Sequence, residues 1–144
     1  AVEAYATNAI DVVPAADLAA TFQSDLRLDA GTSVTMRASG VEGSIASENL
    51  SVSVSGDPAA GAITVEALDQ ASIAIADDVQ LSANGSAGSP VETGLGGTIS
   101  LLADGDASIS ATTLRLFANG DGQSGDIVGG NEIGTFDVHC ISPS

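Results

Sequence analysis

Apolar and polar residues alternate with a period of two through most of this chain, and the alternation recurs as a couplet of two short runs. The couplet is ITVEA followed by VQLSANG, then ISLLA followed by LRLFANG, and it occurs upstream as VTMRA followed by LSVSVSG. Its two runs start sixteen residues apart in two copies and fifteen in the third, at Val34 and Leu50, Ile63 and Val79, and Ile99 and Leu114. Because side chains alternate between the two faces of a β-strand, this period predicts strands rather than helices.

The spacing inside a couplet is fixed, whereas the spacing between couplets varies. Fainter copies start at Ile10 and, incompletely, at Ile133, so that successive starts lie 24, 29, 36 and 34 residues apart. Most of this variation follows the glycine that closes each couplet, which predicts a packed unit with loops of unequal length, the longest over 86–97 and 121–132. Internal repeats of roughly 20–50 residues are typical of solenoids, whose units bury their apolar faces only by stacking.

A third short alternating run lies between the two strands of each couplet, at Ile73 and Ile75 and again at Ile109 and Ala111. Three strands per repeat around an apolar interior predict an all-β fold, a parallel β-helix or β-solenoid. Stacking of the coils would pair each strand with its copies above and below, which leaves open strand edges only at the two ends.

The prediction divides the chain into a coil region and two ends. About four coils occupy residues 10–136, residues 1–9 form an N-terminal cap or lead-in strand, and residues 137–144 form a C-terminal tail or cap. The C-terminal piece either caps the stack or pairs with a further subunit by strand addition. The alternative fold is a β-sandwich filament subunit in which residues 1–9 act as a donated strand.

Alignment of the coils predicts which side chains lie above one another. The inward positions that stack are Val34, Ile63 and Ile99 in one strand, and Leu50, Val79 and Leu114 in another. Asn84 and Asn119 share a further position, where stacked amides predict a hydrogen-bonded ladder. Arg37 and Glu66 are both the fourth residue of their coils, so we expect them to be outward neighbours.

Outward apolar residues indicate a candidate interface on the last full coil. Leu102 and Phe117 take outward positions there, and Cys140, the only cysteine, follows in the C-terminal piece. Either the loop over 121–132 folds over Leu102 and Phe117, or a partner subunit covers them. In an extracellular protein, an unpaired Cys140 could form an intermolecular disulfide.

Composition and charge narrow the choice of partners. The 144 residues include 19 acidic residues, three arginines and no lysine, which gives a net charge of −16. Nucleic acid and anionic membrane surfaces attract clustered cations, so neither is expected as a partner. No apolar run approaches the ~18 residues of a membrane span, so membrane insertion is not expected either. Because Ala1 is not an initiator methionine, we expect a processed chain or a piece of a longer one.

Few residues offer catalytic or metal chemistry. His139 and Cys140 are the only residues of their types, so a zinc site would lack nitrogen and sulfur ligands. They are also adjacent in the chain, and neighbours in a strand point to opposite faces. We therefore expect no enzyme and no cofactor. Loop carboxylates such as Asp121 and Asp126 leave weak calcium binding open.

A group of four carboxylates gives an alternative function. Asp77, Asp78, Asp104 and Asp106 are expected near one corner of the coils. Because paired carboxylates can cleave glycosidic bonds, the alternative is a polysaccharide-binding or polysaccharide-cleaving β-helix that uses loop carboxylates.

Two segments, GGTISLLADGDASISATTLRLFANGDG and GAITVEALDQASIAIADDVQLSANG, carry a family resemblance. They are similar to the haemagglutination-type repeats of filamentous haemagglutinin-like adhesins and of long autotransporter passengers. The resemblance implies a right-handed parallel β-helix at the cell surface. Such adhesins are much longer than this chain, which suggests a fragment or a self-assembling subunit.

The leading hypothesis is therefore a non-enzymatic extracellular structural module of a surface adhesin or self-assembling filament. Its expected partners are further copies joined end to end, or the rest of a longer chain, with a cell-surface glycan as a further candidate.

Overall fold

The computed structural model describes residues 2–56, 61–85, 97–118, 126–129 and 137–141. Within these ranges the backbone forms fifteen β-strands and no helix. In chain order, the strands are β1 (Val2–Ala6), β2 (Ala9–Val12), β3 (Ala19–Thr21), β4 (Leu26–Ala30), β5 (Ser33–Ser39), β6 (Ser44–Ser47), β7 (Leu50–Gly56), β8 (Ala62–Leu68), β9 (Ser72–Ile75), β10 (Asp78–Gly85), β11 (Thr98–Asp104), β12 (Ser108–Ser110), β13 (Thr113–Phe117), β14 (Asp126–Gly129) and β15 (Asp137–Ile141).

The strands form three parallel sheets. The sheet orders are β1-β4-β7-β10-β13-β15, β14-β11-β8-β5-β2 and β12-β9-β6-β3. From β1 to β11, each strand pairs with the strand three places later, and β13 pairs with β15. The predicted all-β class with stacked parallel strands is thus confirmed. The pairing disagrees with the alternative β-sandwich, whose sheets are antiparallel.

Inward residues of neighbouring repeats are register partners. The three inward series are Val34, Ile63 and Ile99; Leu50, Val79 and Leu114; and Ile45, Ile73 and Ile109. One series belongs to each sheet, so every repeat contributes one member to each series. An inward side chain therefore packs on the aliphatic side chain of the next repeat.

These inward side chains form one hydrophobic core cluster among the described residues. Its buried members are Leu, Ile, Val and Ala side chains together with Met36. Ser47 is the buried polar residue of this part of the chain, and its hydroxyl donates to the carbonyl of Asn49 at 3.1 Å. That bond satisfies a group that would otherwise be costly to bury. Burial of aliphatic surface is consequently the main source of stability.

The corner between the five- and four-stranded sheets turns through left-handed backbone. Gly40, Asp69 and Gly105 have φ values of 88°, 53° and 69°. Glycine adopts this region readily, and aspartate tolerates it better than most residues. The turns also bond to one another, since the Gly40 N–H donates to the carbonyl of Leu68 at 3.2 Å and the Asp69 N–H to that of Asp104 at 3.1 Å. The corners therefore repeat in register with the strands.

The N-terminal end of the stack agrees with the predicted lead-in strand, whereas the last partial repeat starts at a different residue from the one predicted. Residues 2–6, in the expected lead-in segment, form β1, which pairs with β4. At the other end, Ile127 rather than Ile133 is the partner of Ile99, so the predicted start of the fifth copy at Ile133 is wrong. The segment DIVG holds two adjacent apolar residues instead of alternating ones, so the period of two does not reveal β14.

The C-terminal piece predicted as a tail or cap begins with a strand. Residues 137–141 form β15, which pairs with β13 and lies at one edge of the six-stranded sheet. Ile133 and its neighbours over 130–136 lie outside the described residues.

Truncation of an inward side chain should test the core directly. Ile73 is 1% exposed and lies between Ile45 and Ile109 in register. We expect Ile73→Ala to lower the free energy of unfolding by about 2–5 kcal/mol, because it removes buried methyl groups and leaves a cavity. Chemical denaturation followed by circular dichroism would measure the change. The matched control is Ala74→Ser on the exposed face, which should stay within about 0.5 kcal/mol of the parent; an equal loss in both variants would contradict the alternation.

Candidate functional site

The outer face of the six-stranded sheet carries a row of polar side chains. Successive register partners along this row are Glu3, Arg27, Ser51, Gln80 and Arg115. Their chain neighbours Leu26, Leu50, Val79 and Leu114 are buried, so alternation directs the row outward. We call these five residues the polar row. Its members lie one strand spacing apart, which is about 4.8 Å.

A second line of polar groups lies at the corner that precedes the same strands. Asn49 is at its centre: the side-chain amide donates to a carboxylate oxygen of Asp25 at 2.7 Å, and the amide oxygen accepts from the backbone N–H of Asp78 at 3.0 Å. Asn49 thus connects the repeat before it with the repeat after it. We call Asp25, Asn49 and Asp78 the corner row.

The polar row and the corner row line a groove of about 490 Å³, referred to below as the long groove. Ser51 has the shortest side chain of the polar row, and it lies between Arg27 and Gln80. We call the Ser51 position, which has a longer side chain in register on each side, the notch. The long groove therefore follows the stacking direction, across the strands.

A second groove, of about 410 Å³, lies at the N-terminal end of the same sheet. Tyr5, Asp29 and Ser53 are register partners that line it. The Tyr5 side chain is 63% exposed, and its hydroxyl donates to Glu3 at 3.2 Å. Partial loss of hydration, followed by this hydrogen bond, raises the pKa of the Tyr5 phenol above its ordinary value. Tyr5 thus presents an aromatic ring and a neutral hydroxyl beside the long groove.

Two arginines form ion pairs with nearby carboxylates. On the polar row, Arg27 Nε lies 3.1 Å from an Asp29 carboxylate oxygen, and the Asp29 charge raises the pKa of the guanidinium. On the five-stranded sheet, Arg37 Nε lies 2.6 Å from Glu66 Oε2, which confirms the predicted outward pair. Both arginines are about half exposed, so such pairs contribute roughly 0.2–1 kcal/mol.

The six inward residues predicted to stack are register partners, whereas the asparagine pair and the interface candidates do not converge on one site. Asn84 pairs in register with Ser55, while Asn119 lies outside the described residues. Leu102 is half-buried on the five-stranded sheet opposite Glu66, whereas Phe117 is half-buried on the six-stranded sheet opposite Ser82.

The remaining interface candidate, Cys140, lies in β15 opposite Leu116, on the same sheet as Phe117. Phe117 and Cys140 thus belong to one sheet and Leu102 to another. The loop predicted to cover Leu102 and Phe117 contains β14 over 126–129, and its other residues lie outside the described ranges.

The four carboxylates expected at one corner lie at two. Asp104 and Asp106 flank the turn between β11 and β12, whereas Asp77 and Asp78 are at the turn between β9 and β10. These turns join different pairs of sheets, so the expectation of a shared corner is wrong. The error arises because the sequence alignment did not assign the two turns to separate corners.

Two kinds of site were sought in the part of the chain that the structure describes, a metal-binding cluster and a membrane-spanning helix. That part contains no group of three or more His, Cys, Asp or Glu residues placed to hold a metal ion. Of the proposed calcium ligands, Asp126 begins β14 and Asp121 lies outside the described ranges. Those ranges also contain no helix long and apolar enough to cross a bilayer.

Comparison with known proteins matched no family model, no curated protein and no solved structure.

The polar row was not identified by sequence reasoning, although a signal for it existed. Arg27 and Arg115 each stand at the centre of a Leu-Arg-Leu segment in the strand that follows the short run of their repeats. Alignment of the outward positions in these strands places both arginines on one line. The corner row depends on side-chain bonds, which a period of two does not predict.

The contribution of the corner row to stability can be tested with a substitution whose effect depends on pH. We expect Asn49→Asp to destabilise the fold at pH 7, because the new carboxylate would lie beside Asp25 and lose the amide donor. Repulsion would raise the pKa of the introduced carboxyl above its unfolded value. The electrostatic penalty should therefore be present at neutral pH, fade as the pH falls through the raised pKa, and be absent below the pKa of an ordinary carboxyl.

The control for this prediction is Asn49→Ala, which removes both hydrogen bonds without adding charge. It should cost about 1–3 kcal/mol at either pH. Thermal unfolding at pH 7 and pH 4 would measure both variants. A penalty for Asn49→Asp that does not depend on pH would contradict the prediction.

Proposed function

We propose that this chain is a non-enzymatic structural module of an extracellular surface adhesin or self-assembling filament, folded as a right-handed parallel β-helix of about four coils. The observation that carries the proposal is the N-terminal end of the stack. We call β1, β2 and β3 the first rung; each is the edge strand of its sheet.

The pairing pattern supports a helical path of the chain. Each sheet takes every third strand up to β13, so the chain visits the other two sheets before it returns to the first. Connections between parallel strands of one sheet are right-handed in about 98% of cases. The right hand is therefore the expected one, in agreement with the resemblance of the repeats to long surface adhesins.

The inward residues of the first rung are incompletely covered. Ala4, Ile10, Val12 and Ala20 are half-buried, whereas their register partners Leu28, Val34, Met36 and Ile45 are buried. The difference arises because the partners are covered by strands on both sides, while the first rung is covered on one. A further rung of parallel strands would bury this surface and pair with the open strand edges.

That further rung could come from a second copy joined end to end or from a longer polypeptide. In both cases the chain acts as a spacer whose length grows by added coils. The net charge of −16 favours a solvated surface that resists lateral association. An extracellular location is part of the proposal and is supported by the resemblance of the repeats.

End-to-end assembly can be tested by placing a charge on the first rung. In Ala20→Lys, an ammonium group would take the place of an inward methyl group at an open edge, a device that blocks strand addition. We expect the parent chain to form rods that lengthen with concentration and Ala20→Lys to remain short. Sedimentation velocity and negative-stain electron microscopy over a concentration series would measure this.

The matched control is Ala74→Lys, because Ala74 is an exposed residue of β9, an interior strand of the same sheet. This variant should assemble like the parent. Isolated monomers of the parent at every concentration would contradict the self-assembling version of the proposal.

A further inference from the structure

We propose that the long groove on the outer face of the six-stranded sheet binds an extended, uncharged oligosaccharide. This inference adds a ligand class to the surface role proposed above and rests on it only for its biological setting. The groove is formed by strands of five successive repeats, and its side chains are presented by the rigid part of the fold.

The dimensions of the groove favour a chain over a single small molecule. The polar row runs from Glu3 on β1 to Arg115 on β13, which is four strand spacings or roughly 19 Å. The notch at Ser51 lies near its middle. A ligand that follows this path would cross the strands and contact one side chain of the row for each repeat that it passes.

The groups along the groove provide both donors and acceptors of hydrogen bonds. Arg27 and Arg115 only donate, the side chains of Ser51 and Gln80 can donate or accept, and the carboxylate of Asp78 accepts. Sugar hydroxyls also donate and accept, so a chain of sugars can satisfy such a mixed set. The neighbouring ring of Tyr5, which is 63% exposed, adds an apolar face with a polar edge at the end of the row.

The charged side chains that line the long groove disfavour a strongly charged ligand. The groove contains two arginines, Arg27 and Arg115, and three carboxylates, Glu3, Asp25 and Asp78. Arg27 is further neutralised by Asp29 at 3.1 Å. Because the local charges nearly cancel within a chain of net charge −16, a polyanion would be repelled at long range. A phosphate polymer would need clustered cations, which this groove does not offer.

The polar surface of the long groove also disfavours a protein partner. Stable protein interfaces have an apolar, fully buried centre, whereas the leucine and valine residues that border the long groove direct their side chains into the core. What remains at the surface is a ladder of guanidinium, amide, hydroxyl and carboxylate groups. A neutral polyhydroxyl chain is the ligand that matches this ladder.

Binding can be tested with six-sugar oligomers as probes. We would titrate the full chain, at a concentration where it is monomeric, with β-1,4-linked glucose, β-1,3-linked glucose and β-1,4-linked N-acetylglucosamine hexamers, and with an α-1,4-linked galacturonate hexamer as the acidic comparator. Isothermal titration calorimetry and saturation-transfer NMR would be the readouts. We expect at least one neutral hexamer to bind more tightly than the acidic one.

A filling substitution locates the binding site. Ser51→Phe should close the notch and weaken binding at least tenfold, whereas Ser100→Phe, at a half-buried position of the five-stranded sheet whose neighbours Ile99 and Leu101 are buried, should leave it unchanged. If Ser51→Phe fails to fold, Gln80→Ala and Arg115→Ala decide the question, since both only shorten exposed side chains. Each should weaken binding about tenfold, the effect of losing one good hydrogen-bonding group.

Three results would overturn the inference: no binding of any neutral hexamer, tighter binding of the galacturonate hexamer, or equal losses in Ser51→Phe and Ser100→Phe. These readouts are independent of rod formation. Loss of assembly with intact sugar binding would overturn the self-assembling form of the proposed function alone, and the reverse result would overturn the inference alone.

Discussion

Parallel pairing of equivalent positions in successive repeats is the constraint on which the rest of the structure depends. It satisfies the backbone of each interior strand on both sides, and it places like aliphatic residues on one another, as in the series Val34, Ile63 and Ile99. A shift by one residue would turn the whole inward face of a strand toward solvent. Register is therefore enforced by burial, and the loops between couplets can vary in length without disturbing it.

Because the inward residues fix the register, the identity of the outward residues is less restricted. Since the inward residues supply the stability, the polar row can carry residues as different as Arg27, Ser51 and Gln80 at equivalent places. The long groove follows from that freedom: it exists because side-chain length varies along a backbone that does not. A rigid scaffold with variable surface side chains is well suited to present a binding site.

The strands, their parallel stacking and the inward residues could be predicted from the sequence, because a strand with one buried face has apolar residues at every second position. The prediction failed at β14, where the adjacent Ile127 and Val128 break the alternation and Ile133 offered a better match to the pattern. It also missed the corner row, since the bonds of Asn49 to Asp25 and Asp78 join residues that are far apart in sequence. Patterns of hydrophobicity report which face is buried, but they do not report which polar groups meet.

The strongly acidic composition has to be reconciled with stacking, because register partners lie about 4.8 Å apart and like charges placed there are destabilising. Among the paired strand residues that the structure describes, no Asp or Glu has another as its register partner. Glu3 faces Arg27, Glu66 faces Arg37, and Asp29 faces Ser53. An acidic stack therefore needs neutral or cationic side chains beside its carboxylates. The corner row shows the same arrangement, because Asn49 lies between Asp25 and Asp78 and bonds to both residues.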